Sequence, residues 1–411
     1  NTGMLMENAV ARPYLVRLTM TDFRNVRSAS MHLSPQIVVL TGSNGAGKTN
    51  SLEAVSLLAP GKGLRGANAA ELTRQGASEG WSVSARLSLE SRIVSAGTGL
   101  VPQKSRRRPG RVVKIDGEER ASSNALGDLA AVMWLIPAMD GLFTGPAVER
   151  RRFLDRLTAI CAPSHRSQLA RFELAMRQRN RLLETGQYNS RLFDAYERQM
   201  AEHAVAIAAA RVDAVELLRA VIEARRDAQS TGPFPWAEVR VEGELEDAVR
   251  LTPAVEIEDT YADKLRDCRN RDRAARRTLS GPHASDMAVR FGPKDMPARL
   301  CSTGEQKALL IGLVLAQAEV VKTARGGFAP IILLDEIAAH LDEGRREALF
   351  KDIITLDSQA WLTGTDPADF AALRGQAQFF HVSDGAIMPA EVARGGASLQ
   401  DDQPARRMYA P

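Results

Sequence analysis

The run Gly42-Ser43-Asn44-Gly45-Ala46-Gly47-Lys48-Thr49 restricts what this chain can fold into more than any other part of it. It matches the pattern GxxxxGK[ST], follows the apolar run Ile37-Val38-Val39-Leu40, and precedes a segment, 48–58, that reads as a helix. Such a turn points backbone N–H groups inward, and the positive end of the following helix dipole helps them hold phosphate oxygens. Lys48 would neutralise the β- and γ-phosphates of a nucleotide, and the Thr49 hydroxyl would be a Mg²⁺ ligand. A plain glycine-rich strand-to-helix turn with an incidental lysine is the bland alternative, and the flanking elements weigh against it.

The partner carboxylates come much later. Ile331-Ile332-Leu333-Leu334-Asp335-Glu336 is an apolar strand ending in two acids, the layout of a Walker B element. Asp335 would belong to the Mg²⁺ shell and Glu336 would polarise the attacking water, so Lys48 and Glu336 are the catalytic candidates and Thr49 and Asp335 the metal candidates. Just ahead of that strand, Ser302-Thr303-Gly304-Glu305-Gln306 opens an apolar helix predicted over 304–323. This segment resembles the signature motif of ABC-type ATPases, and Leu341-Asp342 resembles their D-loop. In such proteins the signature serine and glycine contact the γ-phosphate held by the opposite subunit, where the helix dipole favours an anion. An ordinary Ser/Thr N-cap with an early glutamate would look the same taken singly. A signature acting in trans implies an ATP-dependent homodimer with two nucleotides sandwiched between subunits, which hydrolysis would dissolve.

At 411 residues the chain is long enough for roughly two to three domains. With 44% hydrophobic and 25% charged residues it has ample core material and no sign of bulk disorder. Its three cysteines, Cys161, Cys268 and Cys301, lack CxxC spacing, which argues against a disulfide framework or zinc site and suits a reducing cytoplasm. The apolar stretch 309–321 is interrupted by Gln317 and Glu319 and is too short to span a bilayer, so no membrane role is expected. The predicted order is an N-terminal extension or cloning scar, 1–13; a first ATPase segment with a β-meander, 14–148; a mostly helical lobe, 149–280; a second ATPase segment, 281–390; and a mobile polar tail, 391–411.

Seven segments extend the argument: LTMTDFRNV, GSNGAGKTNSLEAVSLL, RRRFLDRL at 150–157, AMRQRNRLL at 175–183, GPH at 281–283, STGEQKALL at 302–310, and LLDE followed by LD at 333–342. Together and in this order they resemble the RecF family, bacterial recombination mediator ATPases related to the heads of SMC proteins. The resemblance implies an α/β fold: an ABC-type P-loop ATPase head with an antiparallel β-subdomain and an inserted, mostly helical lobe. It implies ATP and Mg²⁺ as cofactors, weak DNA-stimulated hydrolysis, and ATP-dependent dimerisation on double-stranded DNA. It further implies cooperation with RecO and RecR in placing RecA at single-stranded gaps. By position, the nucleotide-binding residues would be Gly42, Ser43, Asn44, Gly45, Ala46, Gly47, Lys48, Thr49, Asn50, Arg65, Ser302, Gly304, Glu305 and Asp342. The chain departs from the wider ATPase pattern in three places. Asp140 lies near where a Q-loop glutamine is expected, Glu305 replaces a second signature glycine, and Thr363-Gly364-Thr365-Asp366 stands in place of a switch histidine.

The net charge is only +4, from 54 Lys+Arg against 50 Asp+Glu, so clustering matters more than the total. Arg106, Arg107 and Arg108 lie in an acid-free segment, 104–114; Arg150, Arg151 and Arg152 form a second cluster; Arg177, Arg179 and Arg181 form a third. Such clusters are candidates for sequence-independent contacts with duplex or gapped DNA, the residues of the first two being the named candidates, against the alternative of solvated faces or helix-end charges. With 5% aromatic residues, a base-stacking single-strand platform is disfavoured. Two other functions fit the motifs: the nucleotide-binding subunit of an ABC transporter, and a non-hydrolysing ATP-binding clamp. Against the first, Ser302 lies roughly 260 residues beyond Gly42, with a helical lobe between them. Against the second, Lys48, Asp335 and Glu336 are all present.

Overall fold

The computed structural model describes residues 13–90, 92–100, 110–185, 189–228, 232–338 and 341–390. Arg106, Arg107 and Arg108, the expected tail, and all but the last residue of the expected N-terminal extension lie outside them. The chain opens with β1 (Tyr14–Phe23), β2 (Val26–His32), β3 (Ile37–Thr41) and α1 (Lys48–Ser56). Strands β4 (Trp81–Leu89), β5 (Arg92–Leu100), β6 (Arg111–Ile115), β7 (Glu118–Arg120) and β8 (Val132–Leu135) follow. Next come α2 (Ala147–Cys161), α3 (His165–Thr185), α4 (Ser190–Asp227), β9 (Ala237–Glu242), α5 (Glu244–Ala248), α6 (Ala254–Asp267) and α7 (Arg269–Ala275). The last part holds β10 (Asp286–Phe291), β11 (Met296–Pro297), α8 (Thr303–Ala324), β12 (Ile331–Leu334) and α9 (Glu343–Leu356). It ends with β13 (Ala360–Gly364), β14 (Ala377–Ser383) and β15 (Ala386–Pro389).

A central sheet runs in the order β15-β14-β3-β13-β12-β8. All its pairings are parallel except the edge pair β14–β15. Every residue of β3, β12 and β13 is buried, as expected for parallel strands covered on both faces. Alternation along β3 divides those faces: Ile37 and Val39 point into one core and Val38 and Leu40 into another. The Val38 side packs against α1 and an antiparallel sheet of order β2-β1-β4-β5-β6-β7. In that sheet β4 alternates strictly, turning Trp81, Val83, Ala85 and Leu87 inward and the serines and arginine between them outward. The buried Gln359 joins the two sheets by acting as a piece of strand: it accepts from Leu15 N and donates to the Leu15 and Ser34 carbonyls.

The other face of the central sheet is covered by α8, α9, α2 and the second half of α4. Helix α8 is apolar almost all round, from Leu309 to Val321, because it is a buried core helix. No described helix is long and apolar enough to cross a membrane. A third core, built on Phe172, Met200, Ala204, Ile207, Ile257 and Leu265, belongs to α3, the first half of α4, and α6. The 38-residue α4 therefore serves two cores and, at about 57 Å, is long enough to do so. The segment 149–280 is mostly helical but includes β9, which pairs with β10 in a small sheet of order β11-β10-β9.

Arginine side chains hold this helical region from within. Arg179 is fully buried and donates to Glu197 (3.0 Å), Asp272 (2.7 Å), Thr278 (2.8 Å) and the Leu265 carbonyl (2.7 Å). The third arginine cluster is thereby broken up, because Arg177 and Arg181 are exposed and Arg179 is not. Removing one member of a buried ion network leaves the others charged and unpaired, which costs about 3–5 kcal/mol. Arg179→Ala is expected to lower the thermal unfolding temperature accordingly, whereas Arg181→Ala leaves it nearly unchanged; calorimetry on both variants makes the comparison.

Candidate functional site

The glycine-rich loop leaves the carboxyl end of β3 and turns into α1. Gly47, which caps α1, has φ +116, and a Cβ there would lie 2.8 Å from Asn25 Oδ1, so both conformation and space require glycine. A Cβ at Gly42 would meet the Val382 carbonyl at 2.1 Å. Asn25 steadies the loop by donating to the Ala46 carbonyl at 3.0 Å. Ser43, Asn44 and Gly45 are exposed at its tip. Lys48, only 4% exposed, donates through Nζ to the carbonyls of Gly42 (2.8 Å) and Ser43 (3.0 Å). It forms no ion pair among the described residues. A buried, uncompensated ammonium beside open backbone N–H groups is a site for an anion.

Asp335 directly follows β12 and reaches the loop across 286 residues of sequence: Thr49 Oγ1 donates to both its oxygens, at 2.9 and 3.0 Å. A second hydroxyl, Thr363 Oγ1 at the end of β13, donates to Asp335 Oδ1 at 2.7 Å. Thr363 Oγ1 also accepts from the backbone N–H of Glu336 at 2.9 Å. Glu336 adopts a left-handed backbone, φ 51, uncommon for a glutamate. Its half-buried carboxylate makes no hydrogen bond or ion pair among the described residues. The two threonines and the acid pair thus meet at the carboxyl ends of β3, β13 and β12, where parallel α/β sheets bind ligands.

The signature segment lies at the start of α8. Ser302 caps the helix: its hydroxyl accepts from Glu305 N at 3.4 Å, and Glu305 Oε2 accepts from Ser302 N at 2.9 Å. Lys294 pairs with the other Glu305 oxygen. That pairing, with the Ser302 N–H and hydroxyl bonds, pulls the Glu305 carboxyl down to about 2. Ser302 and Gly304 are exposed, and among the described residues no hydrogen bond or ion pair joins Ser302, Gly304 or Glu305 to the loop at 42–49. Asp342 caps α9, accepting from Arg345 N at 2.9 Å. Asp140, after β8, pairs with Lys307 of α8 at 3.1 Å.

The candidate arginines divide sharply. Arg150 forms a two-pronged pair with Asp286, at 2.8 and 2.7 Å, and also donates to the Leu142 and Gly145 carbonyls. Arg151 donates to the Ser285 carbonyl at 2.7 Å, and burial lowers its pKa. Of the three, Arg152 is exposed, with an adjacent Glu149 at 2.5 Å. Arg65 bonds Asn50 (2.8 Å) and Glu53 (2.7 Å) beside α1.

The family described as the RecF/RecN/SMC N-terminal domain matches residues 14–365. A Mesorhizobium japonicum protein described as DNA replication and repair protein RecF is 50% identical over 383 residues, 93% of this chain and 100% of that protein. A protein of the same description from Brucella suis is 49% identical over 383 residues, covering 93% and 98%. The chain belongs to the RecF family. Among solved structures, a recombination mediator protein RecF described with ATP superposes with a TM-score of 0.81 at 20% identity, covering 94% of this chain and 100% of that one. An SMC head bound to the winged-helix domain of ScpA gives 0.53 at 14% identity, covering 93% and 98%. The fold is therefore that of an ABC-type P-loop ATPase head with an antiparallel β-subdomain and an inserted, mostly helical lobe.

In this RecF-family chain, sequence reasoning missed Thr363 as the bridge between Asp335 and Glu336. It also missed Asn25 and Glu53 as supports of the loop and of Arg65. The signal for Thr363 was available: a threonine ending a buried strand beside the acidic pair has a hydroxyl that needs a partner. For Glu305 the depressed carboxyl has a pH consequence. A carboxylate whose folded pKa lies below its unfolded 4.5 contributes stability above that value and loses it as pH falls through about 2. Glu305→Gln is therefore expected to be less stable than wild type at pH 7 and to converge with it near pH 2. Denaturant titrations across that range provide the check.

Proposed function

We propose that this chain is an ATP-dependent DNA-binding clamp of recombinational repair. The observation that carries this reading is the meeting of the uncompensated Lys48, Thr49, Asp335 and Glu336 at one end of the parallel sheet. The loop N–H groups and Lys48 bind the nucleotide phosphates; Glu336 accepts a proton from the attacking water; Thr363 holds Glu336 and Asp335 in register. Arg65 flanks the nucleotide, with Asn50 hydrogen-bonded to it. The oxygen donors Thr49 and Asp335 suit a hard cation, and among the described residues no cluster of three or more His, Cys, Asp or Glu exists that could hold a metal by itself. That fits Mg²⁺, which takes its remaining ligands from phosphates and water and would there offset charge on the phosphate oxygens.

Ser302, Gly304 and Asp342 act in trans in this reading, completing the partner subunit's site in an ATP-dependent homodimer; their exposure supports it. Glu305 joins that group only indirectly, since its carboxylate is engaged in the helix cap. Slow, DNA-stimulated hydrolysis then releases duplex or gapped DNA, in cooperation with RecR and RecO, to place RecA. The setting is cytoplasmic, and the functional units are 14–148 with 281–390 as the ATPase head and 149–280 as the second lobe. Arg152 remains the best placed of the three at 150–152 for a phosphate contact, because Arg150 and Arg151 are engaged internally. The names of the curated relatives and the similarity to a RecF structure described with ATP support this reading.

Two measurements test it. Binding of gapped and fully paired DNA is expected to require ATP in wild type and to lose that requirement together with its affinity gain in Lys48→Ala; equal ATP-independent binding by both proteins would overturn the switch. Glu336→Gln is expected to bind ATP, fail to hydrolyse it and accumulate as a dimer. Light scattering that finds only monomer with ATP present would exclude the sandwich.

A further inference from the structure

A carboxylate stands where the site would be expected to exclude one. Glu53 lies on α1, five residues beyond Lys48, with a side chain that is 0% exposed. A bare negative charge there would oppose phosphate binding. It is instead over-compensated: Arg24 grips it with Nε and Nη2, both at 2.8 Å, and Arg65 Nη1 donates to Oε2 at 2.7 Å. Two guanidinium groups against one carboxylate leave one positive charge.

The two arginines are not equivalent. Arg24 also donates through Nη1 to the Glu71 carbonyl at 3.1 Å, so all three of its nitrogens are engaged. Arg65 is 38% exposed and, among the described residues, uses Nη1 alone, leaving Nε and Nη2 open. That open edge is the half of a guanidinium fork that takes an oxyanion. A hydrogen-bonded chain ties it to the loop: Arg65 Nη1 donates to Asn50 Oδ1 (2.8 Å), Asn50 Nδ2 to Asn25 Oδ1 (2.7 Å), and Asn25 Nδ2 to the Ala46 carbonyl (3.0 Å).

We propose that Glu53, Asn50 and Asn25 are positioning residues that hold the Arg65 fork at the edge of the phosphate loop, so that Arg65 binds nucleotide only while this relay is intact. The inference rests on the ATP-binding reading above and adds to it the residues that make Arg65 competent. Arg24 is the second counter-charge on the buried Glu53.

The test is a titration of the full chain with a fluorescent ATP analogue in the presence of Mg²⁺, with thermal unfolding recorded for each variant. Arg65→Ala is expected to weaken binding roughly tenfold, the loss of a charge-assisted contact. Glu53→Gln should weaken it comparably, and the double variant should be no worse than the weaker single one, since both remove the same contact. Losses that multiply in the double variant, or wild-type affinity in Glu53→Gln, overturn the proposal. If Glu53→Gln does not fold, Asn50→Ala replaces it in the same cycle and is read by the same criterion. Lys48→Ala separates the two levels. Binding abolished by Lys48→Ala but untouched in the Glu53 and Arg65 variants leaves the nucleotide site standing and removes the relay. Equal binding by wild type and Lys48→Ala removes the nucleotide reading and this inference with it.

Discussion

The carboxylate of Asp335 is the joint at which the rest of the head converges. It ends a fully buried strand, so its charge must be answered by donors from inside the protein. They come from Thr49 on α1 and Thr363 on β13, while its own N–H donates to the Leu135 carbonyl on β8. Three distant stretches of chain are therefore placed by one side chain and one N–H. The parallel order β3-β13-β12-β8 is the arrangement that brings them there, and Glu336 inherits its position through Thr363.

The second lobe is coupled to this head through continuous packing. Helix α4 passes from the core around Phe172 and Met200 into the one beneath the central sheet, where Val215 and Leu218 meet α8 and α2. At the junction Arg211 joins α2, α5 and the turn before β10, bonding Asp155, Glu246, the Pro282 carbonyl and Ser285. Arg151 also holds the Ser285 carbonyl, and Arg150 holds Asp286 at the start of β10. The strand that follows leads into Ser302.

The parts of the fold that could be read in the sequence are those where one force dominates. Strands β3 and β12 are apolar runs broken by a glycine or an acid, and α9 carries its cap, Asp342, in plain view. Strand β8 escaped because four residues, Val132–Leu135, give no period to read, and β9 because it follows long helical segments. Arg179 shows a different failure. Counted as charge it joins Arg177 and Arg181; counted by helical spacing it falls with Phe172, Ala175 and Leu183 on the buried stripe, a half-turn from its neighbours. Spacing was the better guide. The loop, the acid pair and the cap residues were legible, whereas Thr363, Asn25 and Glu53 matter only through contacts that no local pattern encodes.

The same lesson applies to the charge of the whole chain. Arg24, Arg111, Arg150, Arg151, Arg179, Arg211 and Arg269 are committed to carboxylates or carbonyls inside the protein. Arginine suits these places because its planar fork satisfies several acceptors at once and stays charged under burial, where a lysine would present one point charge and shed its proton more readily. Where the partner is a carboxylate, as for Arg150 with Asp286, such an arginine adds to the basic total without adding net positive charge. An Arg-rich composition with a net charge of +4 therefore says more about how this interior is held together than about what its surface attracts. The exposed guanidinium groups differ from these: Arg152 meets only the equally exposed Glu149, and Arg181 forms no ion pair among the described residues.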